Sequence, residues 1–309
     1  MLQILELFGG IGSPRIALRN MGIPVKAIDY VEIDEKAVKS YNAMFADELA
    51  YKTQSVVGWT LKPDILIHGS PCQDISVAGK KLGADEGSNT RSSLMWETIR
   101  IIKNMGVWRP RVVIWENVKG VLHKNMRNNF NRYLEELEKL GYTNSYEVLN
   151  AMDYGLPQNR DRVFVISKLD GEPFNFNVME KKPMQDIQNF LEKDVSDEFT
   201  ITQPSMLKKI NAKSKTFGGT LKEIDTYCWT ITTKQMRCPN SGIINLGNGT
   251  YRLLTPKECW LLQGYHEEDY EKASEVNGKT ALYHQSGNSI PTVFFEAIFE
   301  VLLKEGLHV

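Results

Sequence analysis

The chain has 309 residues, 24% of them charged and 42% hydrophobic, which is enough length to bury a core and too apolar for a disordered tail. Its 37 Lys and Arg stand against 38 Asp and Glu for a net charge of −1, so no global basic field announces a polyanionic partner and any nucleic-acid surface must be local. The longest apolar stretch, Thr292 to Leu303, is broken by Glu296 and Glu300, and the N-terminus has no basic segment ahead of an apolar core, which excludes a membrane span and export as expectations. Cys72, Cys228, Cys238 and Cys259 form no C-x-x-C pair, so neither a disulfide ladder nor a metal site is expected, and a cytoplasmic monomer with reduced thiols is.

In chain order, Leu2 to Phe8 reads as a first strand running into Gly9-Gly10-Ile11-Gly12. Ser13 is expected to cap the next helix, with Pro14 in its first turn and Gly22 near its end. A second strand is expected over Val25 to Val31, then a helix after Asp34 with Ala37, Val38, Tyr41 and Met44 on one face. Strands over Asp64 to His68 and Arg111 to Trp115 follow, the latter leading to a helix with the stripe Phe130, Leu134, Leu137 and Leu140, ending at Gly141. Ser145 to Asn150 and Arg162 to Ser167 lie close enough in sequence to pair as antiparallel neighbours. The alternation of strand and helix over residues 1–168 predicts an α/β fold with a doubly wound sheet. From Leu169 that rhythm breaks into short strands, turns and Lys-rich stretches, so 169–279 is expected to form a smaller, mostly β or irregular domain. Residues 280–309 return to the first domain, Pro291 to Lys304 as an amphipathic helix burying Val293, Phe294, Ala297, Ile298, Val301 and Leu302.

Open parallel sheets bind ligands at the carboxyl ends of their strands, and four such places carry informative residues. The glycine turn Phe8 to Gly12 has Glu32 twenty residues beyond it, placed for a ribose hydroxyl, while Arg15 stands where a dinucleotide fingerprint wants a glycine. This favours a nucleoside cofactor other than NAD. After the strand at 64–68 comes Gly69-Ser-Pro-Cys-Gln-Asp-Ile-Ser76. A cysteine is by default a small buried hydrophobe, but Pro71 before Cys72, polar Gln73 and Ser76 after it, and the glycine-punctuated stretch Gly79 to Arg91 suit an exposed nucleophile. Trp115-Glu-Asn-Val118 puts Glu116 after its strand, facing the same crevice, and Gln158-Asn-Arg-Asp-Arg162 alternates two arginines with Gln158 on one β-face. Between Ser205 and Cys238 six Lys and one Arg face only Glu223 and Asp225, a local balance of +5 whose default reading is a solvated surface. His68 and His284 have no second ligand nearby in sequence and are expected to be structural.

These residues, in this order, resemble the cytosine-5 DNA methyltransferases over nearly the whole chain. Phe-Gly-Gly-Ile-Gly resembles that family's S-adenosylmethionine loop, Pro71-Cys72-Gln73 its nucleophile motif, Glu116-Asn117-Val118 its Glu-Asn-Val, and Gln158-x-Arg160-x-Arg162 follows in place. Arg252 to Glu258 through Leu262-Gln263-Gly264, and Gly287-Asn288-Ser289-Ile290-Pro291, are similar to its last two motifs. The resemblance implies a Rossmann-like sheet with a target recognition domain, double-stranded DNA as partner, and S-adenosylmethionine held by Phe8, Gly10, Ile11, Gly12, Glu32, Ile33, Pro71, Asn288 and Ser289. It implies catalysis by Cys72, Glu116, Arg160 and Arg162, and substrate contacts from Gln73, Ser76, Asn117, Gln158, Lys208, Lys209 and Thr233, with Lys213 and Lys215 on the same phosphate-binding stretch. The family's acidic contact to the adenine amino group, after a third strand, is replaced here by Ser55-Val56-Val57, with Asp34 or a backbone carbonyl as the expected substitute. No residue reads as the base that removes the carbon-5 proton, a role expected of water, and a cognate restriction endonuclease is left open. The rival readings are an RNA cytosine methyltransferase of the same fold, a non-catalytic DNA-binding regulator, which intact Cys72 and Glu116 disfavour, and an NAD oxidoreductase, which Arg15 disfavours.

Overall fold

The computed structural model describes residues 2–46, 50–58, 62–70, 91–210, 212–214 and 219–307. Its strands are β1 (Leu2–Leu7), β2 (Val25–Val31), β3 (Ile65–His68), β4 (Val112–Asn117), β5 (Tyr142–Asn150), β6 (Gln158–Asn159), β7 (Asp161–Leu169), β8 (Cys228–Trp229), β9 (Ile244–Gly247) and β10 (Thr250–Arg252). The helices are α1 (Ser13–Asn20), α2 (Glu35–Met44), α3 (Met95–Asn104), α4 (Lys124–Glu138), the single turn α5 (Pro204–Leu207), α6 (Pro256–Leu261), α7 (Glu267–Val276), α8 (Lys279–Asn288) and α9 (Thr292–Lys304).

A six-stranded sheet has the order β2-β1-β3-β4-β7-β5. The first four strands are parallel, and β7 enters antiparallel between β4 and β5, giving the expected antiparallel pair. The chain moves outward from β1 to β2, then crosses back to β3 on the other side of β1. That reversal opens a crevice at the carboxyl ends of β1 and β3. Alternation along the strands builds a core on each face. Ile65, Ile67, Val112 and Ile114 pack in one cluster with Leu18, Phe294 and Ile298, while Leu66, Val113 and Trp115 pack in the other with Ile99, Phe130 and Tyr133.

Three expectations are corrected. Ser13 does not cap α1: Gly12 takes the N-cap with φ 78°, so Ser13 falls inside the helix and its hydroxyl pairs with the Tyr265 hydroxyl at 2.7 Å. Residues 50–58 carry no strand before or at Ser55, and Gln54 N–H instead donates to Glu32 O at 2.8 Å, so among the described residues 65–68 is the third strand in chain order. Helix α9 buries Phe295 and Phe299 as well as Phe294, Ala297, Ile298, Val301 and Leu302 of the expected stripe, where Phe174 and Met179 join the cluster around it, while Val293 is only half-buried.

Beyond β7 the regular structure is sparse. β6 and β8 form one two-residue parallel ladder and β9 and β10 a short antiparallel one. Helices α6 and α7 return to the sheet's flank, where Trp260, Tyr265 and Ala273 share a cluster with Tyr30 and Tyr41. Arg19 of α1 forks onto Asp269 with two 2.8 Å bonds. Among the described residues no helix is long and apolar enough to cross a membrane.

Candidate active site

A recess opens at the reversal point between β1 and β3, lined among others by Glu6, Phe8, Gly10, Gly69, Asn288 and Ser289. Phe8 has φ 55° and Gly10 φ 54°. A left-handed backbone at a residue with a side chain costs roughly 1–2 kcal/mol, so the turn after β1 is held by its surroundings. Glu32, at the end of β2, supplies much of the hold: its Oε2 accepts from Gly10 N at 2.9 Å, and its Oε1 from Ile33 N at 2.7 Å and Asp34 N at 2.9 Å. Ile33 presents a side chain that is 75% exposed beside it. Asp34 spends its carboxylate capping α2 through Lys36 N at 2.9 Å. Asn288 is exposed at the rim, whereas Ser289 is buried, its hydroxyl 3.2 Å from that of Tyr265.

Glu6 also lines the recess, and the motif reading did not name it. It is buried in β1, and burial pushes its carboxyl up to about 7 against the opposing pull of Arg15 and the hydrogen bond from Tyr41. Its Oε2 has no hydrogen-bond partner among the described residues although Glu6 lines the recess. The signal was present: it is the one charged residue in Leu2-Gln-Ile-Leu-Glu-Leu-Phe8, a strand otherwise read as buried. An orphaned acidic oxygen, a glycine turn and a backbone-held Glu32 carboxylate together fit a ligand that pairs a ribose with positive charge.

Across β3, Glu116 lies within β4 rather than after it, opposite Phe164 of β7. It is buried, and its Oε1 is 2.9 Å from Nε of Arg162, which stands on the neighbouring strand. Burial raises its pKa, with Arg162 and then Arg160 pulling the other way. A Cβ added to Gly69 would sit 3.4 Å from Glu116 Oε2, so the bare backbone after β3 is the wall between the recess and this acid.

Other expected contacts prove to be braces. Asn117 is buried and donates to Ser70 O at 3.2 Å, while Trp115 Nε1 donates to Ser70 Oγ at 3.0 Å, pinning the chain just before Pro71. Gln158, 0% exposed, is corrected from a substrate contact: it donates to Leu262 O at 2.8 Å and accepts from Ile231 N at 3.2 Å. Arg160, 1% exposed, gathers three carbonyls instead of facing a base, bonding Ile231 O at 2.7 Å, Gly287 O at 3.1 Å and Ser289 O at 2.7 Å. A side chain at Gly287 would run into the backbone of Thr232 and Thr233, so glycine there lets the two segments touch. Thr233 is half-buried at this joint, with Lys234 and Arg237 exposed beyond it.

Pro71, Cys72, Gln73 and Ser76 lie outside the described residues, as do the stretch onward from Gly79 to residue 90 and Lys215. Lys208 and Lys213 are exposed and Lys209 is half-buried. His68 is structural: it is buried, its Nε2 lies 2.7 Å from the Tyr133 hydroxyl, and burial lowers its pKa to about 3. His284 is exposed, 3.3 Å from the Asn288 amide.

A family model described as C-5 cytosine-specific DNA methylase matches residues 2–304. The chain belongs to that family. It is a DNA cytosine methyltransferase, and the family's fold is the one described above. Type II methyltransferase M2.ScrFI of Lactococcus lactis subsp. cremoris is 32% identical, over 98% of this chain and 99% of the relative. Type II methyltransferase M.Bsp6I of Bacillus sp. (strain RFL6) is 30% identical, over 99% and 100%. Among solved structures, S. pombe Dnmt2 methyltransferase superposes with a TM-score of 0.77 at 18% identity over the whole of both chains. Entamoeba histolytica methyltransferase EhMeth does so with a TM-score of 0.78 at 19% identity, over 99% of this chain and 98% of that one.

Proposed function

We propose that this chain methylates carbon 5 of a cytosine flipped out of a specific duplex DNA sequence, with S-adenosylmethionine as donor and Cys72 as covalent nucleophile. One adjacency carries the reading: the buried Glu116–Arg162 pair and the ligand recess share Gly69 as their wall. When bound, S-adenosylmethionine supplies an electrophilic methyl group and positive charge. Glu32 would take its ribose, Ile33 its base face, and the turn from Phe8 to Gly12 with Glu6, Pro71, Asn288 and Ser289 its amino-acid end.

Carbon 5 of cytosine is a poor nucleophile until a thiolate adds to carbon 6, which is the role of Cys72. Addition drives charge onto ring nitrogen 3, where Glu116, whose pKa burial raises, is the proton donor. Arg162 orients that acid and offers its remaining N–H groups to the base carbonyl. Arg160 acts by holding Ile231, Gly287 and Ser289 together, a positioning role. Once carbon 5 carries the methyl group, water takes its proton, the thiolate leaves carbon 6, and ring nitrogen 3 returns its proton to Glu116.

Flipping the target costs about a few kcal/mol, to be recovered from contacts with the rest of the duplex. We assign the chemistry to residues 1–168 with 280–309 and DNA engagement to 169–279. Relatives named as type II methyltransferases support a restriction-modification role with an endonuclease, and those named as orphan methyltransferases support a role without one. Bisulfite sequencing of plasmid DNA from cells expressing the chain tests the reading: protected cytosines in one recurrent sequence are expected. Protection absent from DNA while cellular RNA is protected would move the substrate to RNA.

Lys208, Lys209 and Lys213 give a second expected result. Neutralising Lys208, Lys209 and Lys213 should weaken DNA binding and reduce the slope of log affinity against log salt by about one per lost phosphate contact. Sequence preference and cofactor affinity should survive, since phosphate contacts set position and base edges set identity. Salt titrations on matched and mismatched duplexes measure this, and unchanged slopes would return the lysines to a solvated face.

A further inference from the structure

We propose that Tyr30 is a positioning residue for the donor, holding the glycine turn in its binding shape from beneath; the inference rests on the cofactor reading above. β2 directs Tyr30 under the end of β1, where it is 0% exposed. A Cβ on Gly9 would lie 2.6 Å from Cδ2 and Cε2 of the Tyr30 ring, so the ring fills the space that a side chain at position 9 would need. The Tyr30 hydroxyl donates to Gly10 O at 2.5 Å. On the other side of the same residue, Gly10 N donates to Glu32 Oε2 at 2.9 Å.

Gly10 therefore has both its N–H and its C=O held. Among the described residues nothing lies within 4 Å of the place where its Cβ would be, and its φ of 54° is one a free glycine leaves readily. The two bonds differ in what a ligand does to them. Glu32 is the expected ribose partner, so the donor competes for the carboxylate that holds Gly10 N. Tyr30 is buried and is not among the residues lining the recess, so its bond would keep the turn in shape while Glu32 divides its acceptors. The ring is fixed in turn by stacking on Tyr41, with centroids 3.8 Å apart, and by an edge contact with Tyr51 at 5.6 Å. Burial, with Glu32 and Tyr41 adding to it, raises the phenol's pKa far above its ordinary value, so it stays a donor.

Tyr30→Phe retains the ring under Gly9 and loses only the hydroxyl. Calorimetric titration with S-adenosylmethionine and steady-state kinetics on duplex DNA are expected to show Kd and KM for the donor raised about five- to thirtyfold. The kcat at saturating donor and the KM for DNA should be those of the wild type, a split that general loosening of the core does not produce. Tyr142→Phe is the control, because its buried hydroxyl makes the same kind of bond, to Pro110 O at 2.7 Å, away from the recess. Equal weakening of donor binding by both variants overturns the inference, as does a Tyr30→Phe protein that binds the donor like the wild type. A folded wild type that binds no S-adenosylmethionine overturns the cofactor reading and this inference with it.

Discussion

Cys72→Ser is expected to bind duplex DNA and S-adenosylmethionine as the wild type does and to transfer no methyl group, a loss on the order of 10⁴-fold or more, the scale on which removing an enzyme's nucleophile acts. A serine hydroxyl stays protonated at neutral pH, whereas a thiol reaches the thiolate with modest help from nearby positive charge. DNA with 5-fluorocytosine at the target position makes the difference visible, because fluorine cannot leave as a proton and the thioether to carbon 6 persists. A denaturing gel should show the adduct with the wild type and none with Cys72→Ser. The other thiols offer poor alternatives: Cys228 and Cys259 are 0% exposed, and burial pushes both well above the ordinary thiol range. Peptide mapping that placed the adduct on Cys238 would sink the assignment.

The parallel half of the fold was legible because its strands are short apolar runs, each bounded by a glycine turn or a helix start. β2 falls on the residues expected, and β3 and β4 differ from expectation only at their ends. The part after β7 lacks that punctuation: β8 has two residues and is placed by Gln158 and Asn159 of a distant ladder, a pairing no local pattern encodes. Within the site, motif spacing singled out Glu32, which bonds the glycine turn, and Glu116 and Arg162, which pair with each other, but it did not foresee that Gln158 and Arg160 are buried against backbone carbonyls. Alternation along a strand tells which residues share a face, not which carbonyls from 231 and 287–289 will come to meet them. Glu6 and Tyr30 were passed over for the opposite reason. Each lies in a strand read only for its apolar residues, yet Glu6 lines the recess and the Tyr30 hydroxyl bonds Gly10 O.

Glu116→Gln separates proton donation from shape. The amide matches the protonated acid in size and can still donate a hydrogen bond to ring nitrogen 3, but it has no proton to transfer. Single-turnover methyl transfer is expected to fall by about 10²- to 10⁴-fold, the range of a lost general acid, with donor affinity unchanged. The pH dependence supplies a second readout. Burial raises the Glu116 pKa although Arg162 sits 2.9 Å away and Arg160 also opposes the shift. The proton-bearing, active form therefore persists to higher pH than in a free carboxylate, and the wild-type rate should fall as pH rises through that raised value. The same shift means the folded protein binds this proton more tightly than the unfolded chain does. Its contribution to stability is thus full below the unfolded pKa and lost as pH rises through the folded one. In Glu116→Gln both dependences should flatten, leaving a slow rate without the falling limb. A variant that kept the wild-type rate and the same falling limb would assign the titration to another group and leave Glu116 as a brace for Arg162.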